Sequence, residues 1–129
     1  MGKINSFRDL VAWQKGIELV KTIYMLTAKF PDDEKFGLVS QVRRAAVSVP
    51  SNIAEGYARR SRADYLRFLN IARGSTDEVE TQLIVSKELG FANHRGLGEA
   101  MSSTKEVQRL LGRLIRSIEQ ATVRYPALS

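Results

Sequence analysis

The sequence predicts an all-α protein: an antiparallel up-down four-helix bundle, one domain over residues 1–129. Three observations carry this reading. Apolar residues recur at three- and four-residue steps in four long stretches. Capping and stop residues separate those stretches by short connections, as an up-down bundle requires. No stretch alternates strictly between apolar and polar, and no hairpin dipeptide occurs. A chain of 129 residues, 43% hydrophobic, can build one packed core.

The first helix is expected to start near Ser6, which has capping-box spacing to Asp9. Leu10, Trp13, Ile17, Val20, Tyr24 and Thr27 define its expected inner face. The stretch "FPDDEKFG" ends it: Pro31 resists helix continuation, and Asp32 or Asp33 can cap the next helix. Asp33 and Glu34 also suit the positive end of the next helix dipole.

In the second segment Leu38, Val42, Ala46, Val49, Ile53 and Tyr57 keep one register straight through Pro50. A proline inside a helix costs about 3 kcal/mol. The unbroken pattern favours one helix kinked near Pro50. Two helices, the second capped by Ser48, are the alternative. Small residues such as Ala45, Ser48, Ser51 and Gly56 let this helix approach a neighbour closely.

The third helix is expected to start at Ser61, with Asp64 again in capping-box spacing. Its inner face is Tyr65, Leu69, Ala72, Thr76, Val79 and Leu83, and Gly90 is a natural C-terminal cap. Gly74 costs about 1 kcal/mol in a helix, so a close contact or a bend is expected there. "FANHRGLG" reads as the connection to a fourth helix with Leu97, Met101, Thr104, Val107, Leu111, Leu114 and Ile118 inside. Pro126 lies beyond its end.

Several classes of chemistry are excluded or disfavoured. The chain has no cysteine, hence no disulfide, thiolate-held zinc or thiol nucleophile. The single histidine, His94, falls in a predicted connection and reads as a solvated side chain. There is no Glu-x-x-His pair for a di-iron bundle, no Walker A loop, no GxSxG elbow and no HExxH. Glu55, Glu78 and Glu80 can lie near one another, but without histidine partners they are a poor metal set. The expectation is a non-enzyme with no cofactor and no metal. The N-terminus lacks the pattern of a signal peptide, and no run approaches the roughly 18 apolar residues of a membrane span. A soluble, cytoplasmic protein without a membrane partner is expected.

The net charge of +6 favours polyanionic partners. Between Gln41 and Arg73 stand seven arginines, Arg43, Arg44, Arg59, Arg60, Arg62, Arg67 and Arg73, against two acids, Glu55 and Asp64. Arginine grips phosphate bidentately and stacks on bases. On the fourth helix Lys105, Arg109, Arg113 and Arg116 step by four, four and three, within an arc of roughly 80°. That stripe is also what the solvated back of an amphipathic helix looks like. The arginines around the second helix can equally pair with Glu78, Glu80 or Glu88.

"FRDLVAWQKGIELVKTIY", "SQVRRAAVSVPSNIAEGYAR", "YLRFLNIARGSTDEVETQL" and "KELGF" occur in that order. With these segments the chain closely resembles the bacterial 23S rRNA intervening-sequence proteins, or S23 family, over nearly its whole length. The resemblance weakens after about Asn93. It implies an up-down bundle with a kinked second helix, assembled as a ring-shaped homopentamer. It offers no catalytic residues. A related group, the accessory variability determinant proteins of diversity-generating retroelements, implies a reverse transcriptase as a possible partner.

The expected function is therefore a basic, oligomeric, non-enzymatic protein that binds RNA or nucleic acid generally. Arg43, Arg44, Arg59, Arg60, Arg62 and Arg67 are the first candidate contacts, and Lys105, Arg109, Arg113 and Arg116 the second. The alternative is a protein-interaction scaffold, for example an accessory pentamer for a reverse transcriptase.

Overall fold

The computed structural model describes residues 3–121. Four helices follow one another: α1 (Val11–Thr27), α2 (Leu38–Tyr57), α3 (Arg62–Glu88) and α4 (His94–Gln120). No strand occurs among the described residues. Each helix packs on its neighbour in chain order, α4 closes back on α1, and the diagonal pairs stay apart. This is the four-helix bundle that the spacing predicts. The antiparallel register is visible in side-chain pairs. Ser48 on α2 bonds Ser75 on α3 at 2.8 Å, and Lys105 on α4 reaches Glu80 on α3 at 2.8 Å.

The core is aliphatic. Leu19, Ile23, Val49, Ile53, Leu69, Val79, Leu83, Val107 and Leu111 are almost wholly buried. Each such side chain contributes about 1.5–3 kcal/mol of transfer free energy. The expected inner faces of α2 and α3 are the observed ones, with Leu38 and Tyr57 half-buried at the ends of α2. On α4, Leu97, Thr104, Val107, Leu111 and Ile118 are buried as expected, joined by Ala100 and Ile115, while Met101 and Leu114 are half-buried.

α1 departs from expectation. Its buried line is Ala12, Gly16, Leu19, Ile23 and Leu26, with Thr27. Trp13 and Val20 are only half-buried, and Ile17 and Tyr24 are exposed. The helix carries two adjacent apolar stripes, and periodicity alone does not rank them. The smaller stripe faces inward because Pro50 of α2 comes so near Gly16. A Cβ on Gly16 would stand 3.4 Å from the Pro50 Cβ.

The start of α1 differs as well. The capping box forms, with Ser6 Oγ accepting from the Arg8 amide and the Asp9 carboxylate accepting from the Ser6 amide. It closes a 3-10 turn, Phe7–Asp9, and not the helix itself. Leu10 is extended, and α1 begins one residue later.

Neither Asp32 nor Asp33 caps α2. Both sit in a 3-10 turn after Pro31, and Gly37 is the N-cap. Glu34 supplies the acceptor, its Oε1 lying 3.3 Å from the Leu38 amide. α2 then runs unbroken through Pro50. Ser48 caps nothing there: its hydroxyl bonds the Ser75 hydroxyl and accepts from the side-chain Nδ2 of Asn52.

Ser61 caps α3, accepting from the Asp64 amide at 3.1 Å. The C-terminus closes at Gly90, whose φ of 72° a side chain would disfavour. Gly90 donates to the Lys87 carbonyl and Phe91 to the Ser86 carbonyl, a Schellman closure. α4 starts earlier than expected. Asn93 caps it through the Gly96 amide at 2.7 Å, so His94 is its exposed first residue and not part of a connection. Gly74 makes no close contact within the chain: a Cβ there would meet nothing within 4 Å. The close approach is at Gly56, where a Cβ would lie 2.9 Å from the Phe68 Cβ. Pro126 lies outside the described residues.

Candidate nucleic-acid interface

Antiparallel packing gathers the start of α1, the end of α2, the start of α3 and the end of α4 at one end of the bundle. Arg62 Nη1 lies 3.5 Å from the Glu119 carbonyl, which places the last turn of α4 beside the first turn of α3. Arg59, Arg60, Arg62 and Arg67 therefore share an end with Arg113 and Arg116, more than 40 residues away in sequence. Arg8, in the turn before α1, joins them.

The acids at this end are partly occupied. Glu55 pairs with Arg59 at 2.6 Å, Asp64 lies 3.5 Å from Arg67, and Asp9 closes the capping box, while Glu119, in the last turn of α4, is exposed with no ion pair among the described residues. The opposite end is mixed, with Asp32, Asp33, Glu34, Glu88 and Glu99 among Lys29, Lys35, Lys87 and Arg95. A helix the length of α3 spans about 40 Å. That is several times the Debye length of about 8 Å at physiological salt. The distant acids therefore do not neutralise the basic end.

Two of the arginines are organised by an aromatic ring. The guanidinium carbons of Arg59 and Arg67 lie 4.7 and 4.4 Å from the ring centroid of Phe68. Phe68 escaped the sequence reading. Its signal was available, because it directly follows Arg67 and is three residues beyond the core Tyr65. Arg60 is exposed and has no side-chain partner among the described residues.

The other candidates are placed elsewhere. Arg43 is tied to the end of α1. Its Nε donates to Thr27 Oγ1 at 2.8 Å, an Nη donates to the Tyr24 carbonyl at 3.3 Å, and the guanidinium lies 4.4 Å from the Tyr24 ring centroid. It adds a second donor to the Tyr24 carbonyl, which already accepts from the Ala28 amide at 3.1 Å, near a helix C-terminus where positive charge is favoured. Arg44 is exposed beside it. Arg73 bonds Asn70. Lys105 belongs to a cross-helix pair, not to a free stripe: it and Gln108 both hold Glu80. The hydrogen bonds from Lys105 and Gln108 hold the Glu80 carboxyl below its usual range, against an opposing contribution from burial. Arg109, Arg113 and Arg116 are exposed.

The three glutamates do not converge: Glu55 goes to Arg59 and Glu80 to Lys105. No group of three His, Asp or Glu side chains suited to a metal occurs among the described residues. No helix among them is long and apolar enough to cross a membrane.

Fold and charges together define a class: a small helical bundle with one arginine-rich end and no metal-ligand cluster among its described residues. The family model described as 23S rRNA-intervening sequence protein matches residues 8–113, and the chain belongs to that family. A solved structure from Bacteroides thetaiotaomicron VPI-5482, described as a protein with unknown function from the S23 ribosomal protein family, has the same fold. It superposes with a TM-score of 0.76 at 26% identity, covering 82% of this chain and 96% of that one. No curated protein matches the chain.

Proposed function

We propose that this chain is a non-enzymatic, self-assembling cytoplasmic protein that binds RNA or other nucleic acid through the basic end of its bundle. The observation that supports this most is the gathering of Arg59, Arg60 and Arg62 with Arg113 and Arg116 at one end. Binding would be electrostatic: the guanidinium groups replace counterions on phosphates and read bases little. A ring of copies, five by family resemblance, would repeat a weak contact and gain avidity.

The test is binding of nuclease-treated protein to labelled structured RNA and duplex DNA across a salt series. Affinity near physiological salt is expected to fall steeply as salt rises. Replacing Arg59, Arg60 and Arg62 together by Ala should weaken binding and lower the log–log salt slope by up to about 0.9 per lost contact. Binding no stronger than that of a neutral control protein would overturn the reading.

A second reading, a scaffold for a protein partner such as a reverse transcriptase, draws on the exposed apolar residues of α1 and α2. A specific protein complex formed without nucleic acid would favour it.

A further inference from the structure

Among the described residues, two exposed apolar surfaces differ in the charge beside them. The first is the seam between α1 and α2. Ile17 and Tyr24 of α1 are exposed along it, beside the half-buried Trp13. Tyr24, Phe36 and Val47 line a shallow groove together with Lys35 and Arg44. Phe36 is 89% exposed. This is the second apolar stripe of α1, the one that the core leaves outside.

The second surface is the outer face of α3. Ile71, Glu78, Val85 and Leu89 recur at steps of seven, seven and four, which places them on one side of the helix. The three apolar members are exposed, Leu89 to 58%. Glu78 supplies negative charge on this side, and Arg67, four residues before Ile71, is paired with Asp64 at 3.5 Å. Lys35, Arg44 and Glu78 form no ion pair among the described residues.

Gly74 lies on this same side, between Ile71 and Glu78. Glycine is disfavoured inside a helix, and here no neighbour in the chain asks for it, since a Cβ would meet nothing within 4 Å. It leaves a dent in an apolar, acidic face. The seam offers the complement, a protruding phenyl ring with lysine and arginine beside it.

We propose that the α1/α2 seam of one copy of this chain docks head to tail on the outer face of α3 of a second copy. This rests on the self-assembly proposed above and names its two faces. Because the faces differ, the contact is heterologous, and repetition closes a ring or runs on as a filament. Unpaired charges of opposite sign fix the orientation, and the apolar residues supply the area.

The experiment is sedimentation velocity on nuclease-treated full-length chain, with circular dichroism as the check on folding. The wild type should sediment as an oligomer. Ile17→Arg on the seam and Val85→Arg on the α3 face should each be monomeric with unchanged helicity, since both positions are exposed. Mixed together, these two variants should form a one-to-one dimer and nothing larger, because one intact seam and one intact face remain. Gly74→Gln, which fills the dent without meeting a neighbour in its own chain, should also abolish assembly.

A monomeric wild type would remove the self-assembly reading itself. An oligomeric wild type with both arginine variants still oligomeric would remove these faces and leave self-assembly standing. Loss of assembly in Ile17→Arg alone, with Val85→Arg unaffected, would mean that the seam packs on another seam and would overturn the head-to-tail contact.

Discussion

The ring of Pro50 packs against the bare backbone of Gly16, so near that a Cβ on Gly16 would stand 3.4 Å from the Pro50 Cβ. Both residues are buried. This contact joins α1 to α2 and decides which stripe of α1 faces the core. A single methyl fits at ordinary contact distance; a larger side chain does not. Gly16→Ala should be neutral or slightly stabilising, because alanine gains up to about 1 kcal/mol of helix propensity. Gly16→Leu should destabilise by about 1–3 kcal/mol through overpacking. Urea denaturation of both variants checks this. Equal midpoints for Leu and Ala would mean that the two helices can separate there at no cost.

Gly56 makes the tighter approach, between α2 and α3. A Cβ there would lie 2.9 Å from the Phe68 Cβ and 3.2 Å from the Tyr65 carbonyl oxygen. Neither atom is the movable end of a flexible side chain. Gly56→Val is expected to cost at least about 1–3 kcal/mol and to disturb the turn that carries Arg59 and Arg60. The midpoint of thermal unfolding should fall. An unchanged midpoint would show that α2 and α3 do not need this closeness.

Arg43 and Arg60 should separate stability from binding. Arg43 holds the Tyr24 carbonyl and Thr27, and packs on the Tyr24 ring. Arg43→Ala is expected to lose about 1–2 kcal/mol of stability. Arg60 is exposed, so Arg60→Ala should stay within about 0.5 kcal/mol of the wild type while weakening nucleic-acid binding. Denaturation and a binding isotherm on both variants give the comparison. The reverse pattern would exchange their roles.

Glu80 gives a pH dependence of known sign. Its folded pKa is lowered, first by the hydrogen bond from Lys105 and then by that from Gln108. A lowered carboxyl pKa contributes stability above the unfolded value, and that contribution is lost as pH falls through the folded value. The wild type should therefore exceed Glu80→Gln in stability at neutral pH by a small margin. The margin should shrink through the acid range, below the ordinary glutamate value. A margin that grows on acidification would contradict the assigned pairing.

Much of the architecture was legible in the sequence. On α2 and α3 a single apolar stripe repeats with the helical period, so the inner face follows from spacing. Ser61 and Gly90 punctuate α3 because their signals are local: a hydroxyl three residues from an amide, and a backbone that tolerates positive φ. His94 belongs to α4 and not to a connection because Asn93 caps the helix, and a side-chain acceptor immediately before a helical run is itself a local signal. Gly74 misled because a helical glycine announces room without saying whose side chain needs it.

The candidate site was legible only as an excess of arginine. Charge counted along the chain did not show that Arg43 is spent on the end of α1, or that Lys105 is spent on Glu80. Those assignments depend on which carbonyl or carboxylate another helix brings within reach.

By itself the sequence determined four helices, their order, both ends of α3 and three of the four buried faces. Hydrophobic period, caps and breakers act over a few residues, and a few residues suffice to read them. Only the tertiary structure decided which stripe of α1 is buried, because that depends on the shape of Pro50 on a different helix. It alone brought Arg59, Arg60 and Arg62 to the same end as Arg113 and Arg116. Antiparallel packing makes neighbours of helix ends that lie far apart along the chain, and no local signal records that meeting.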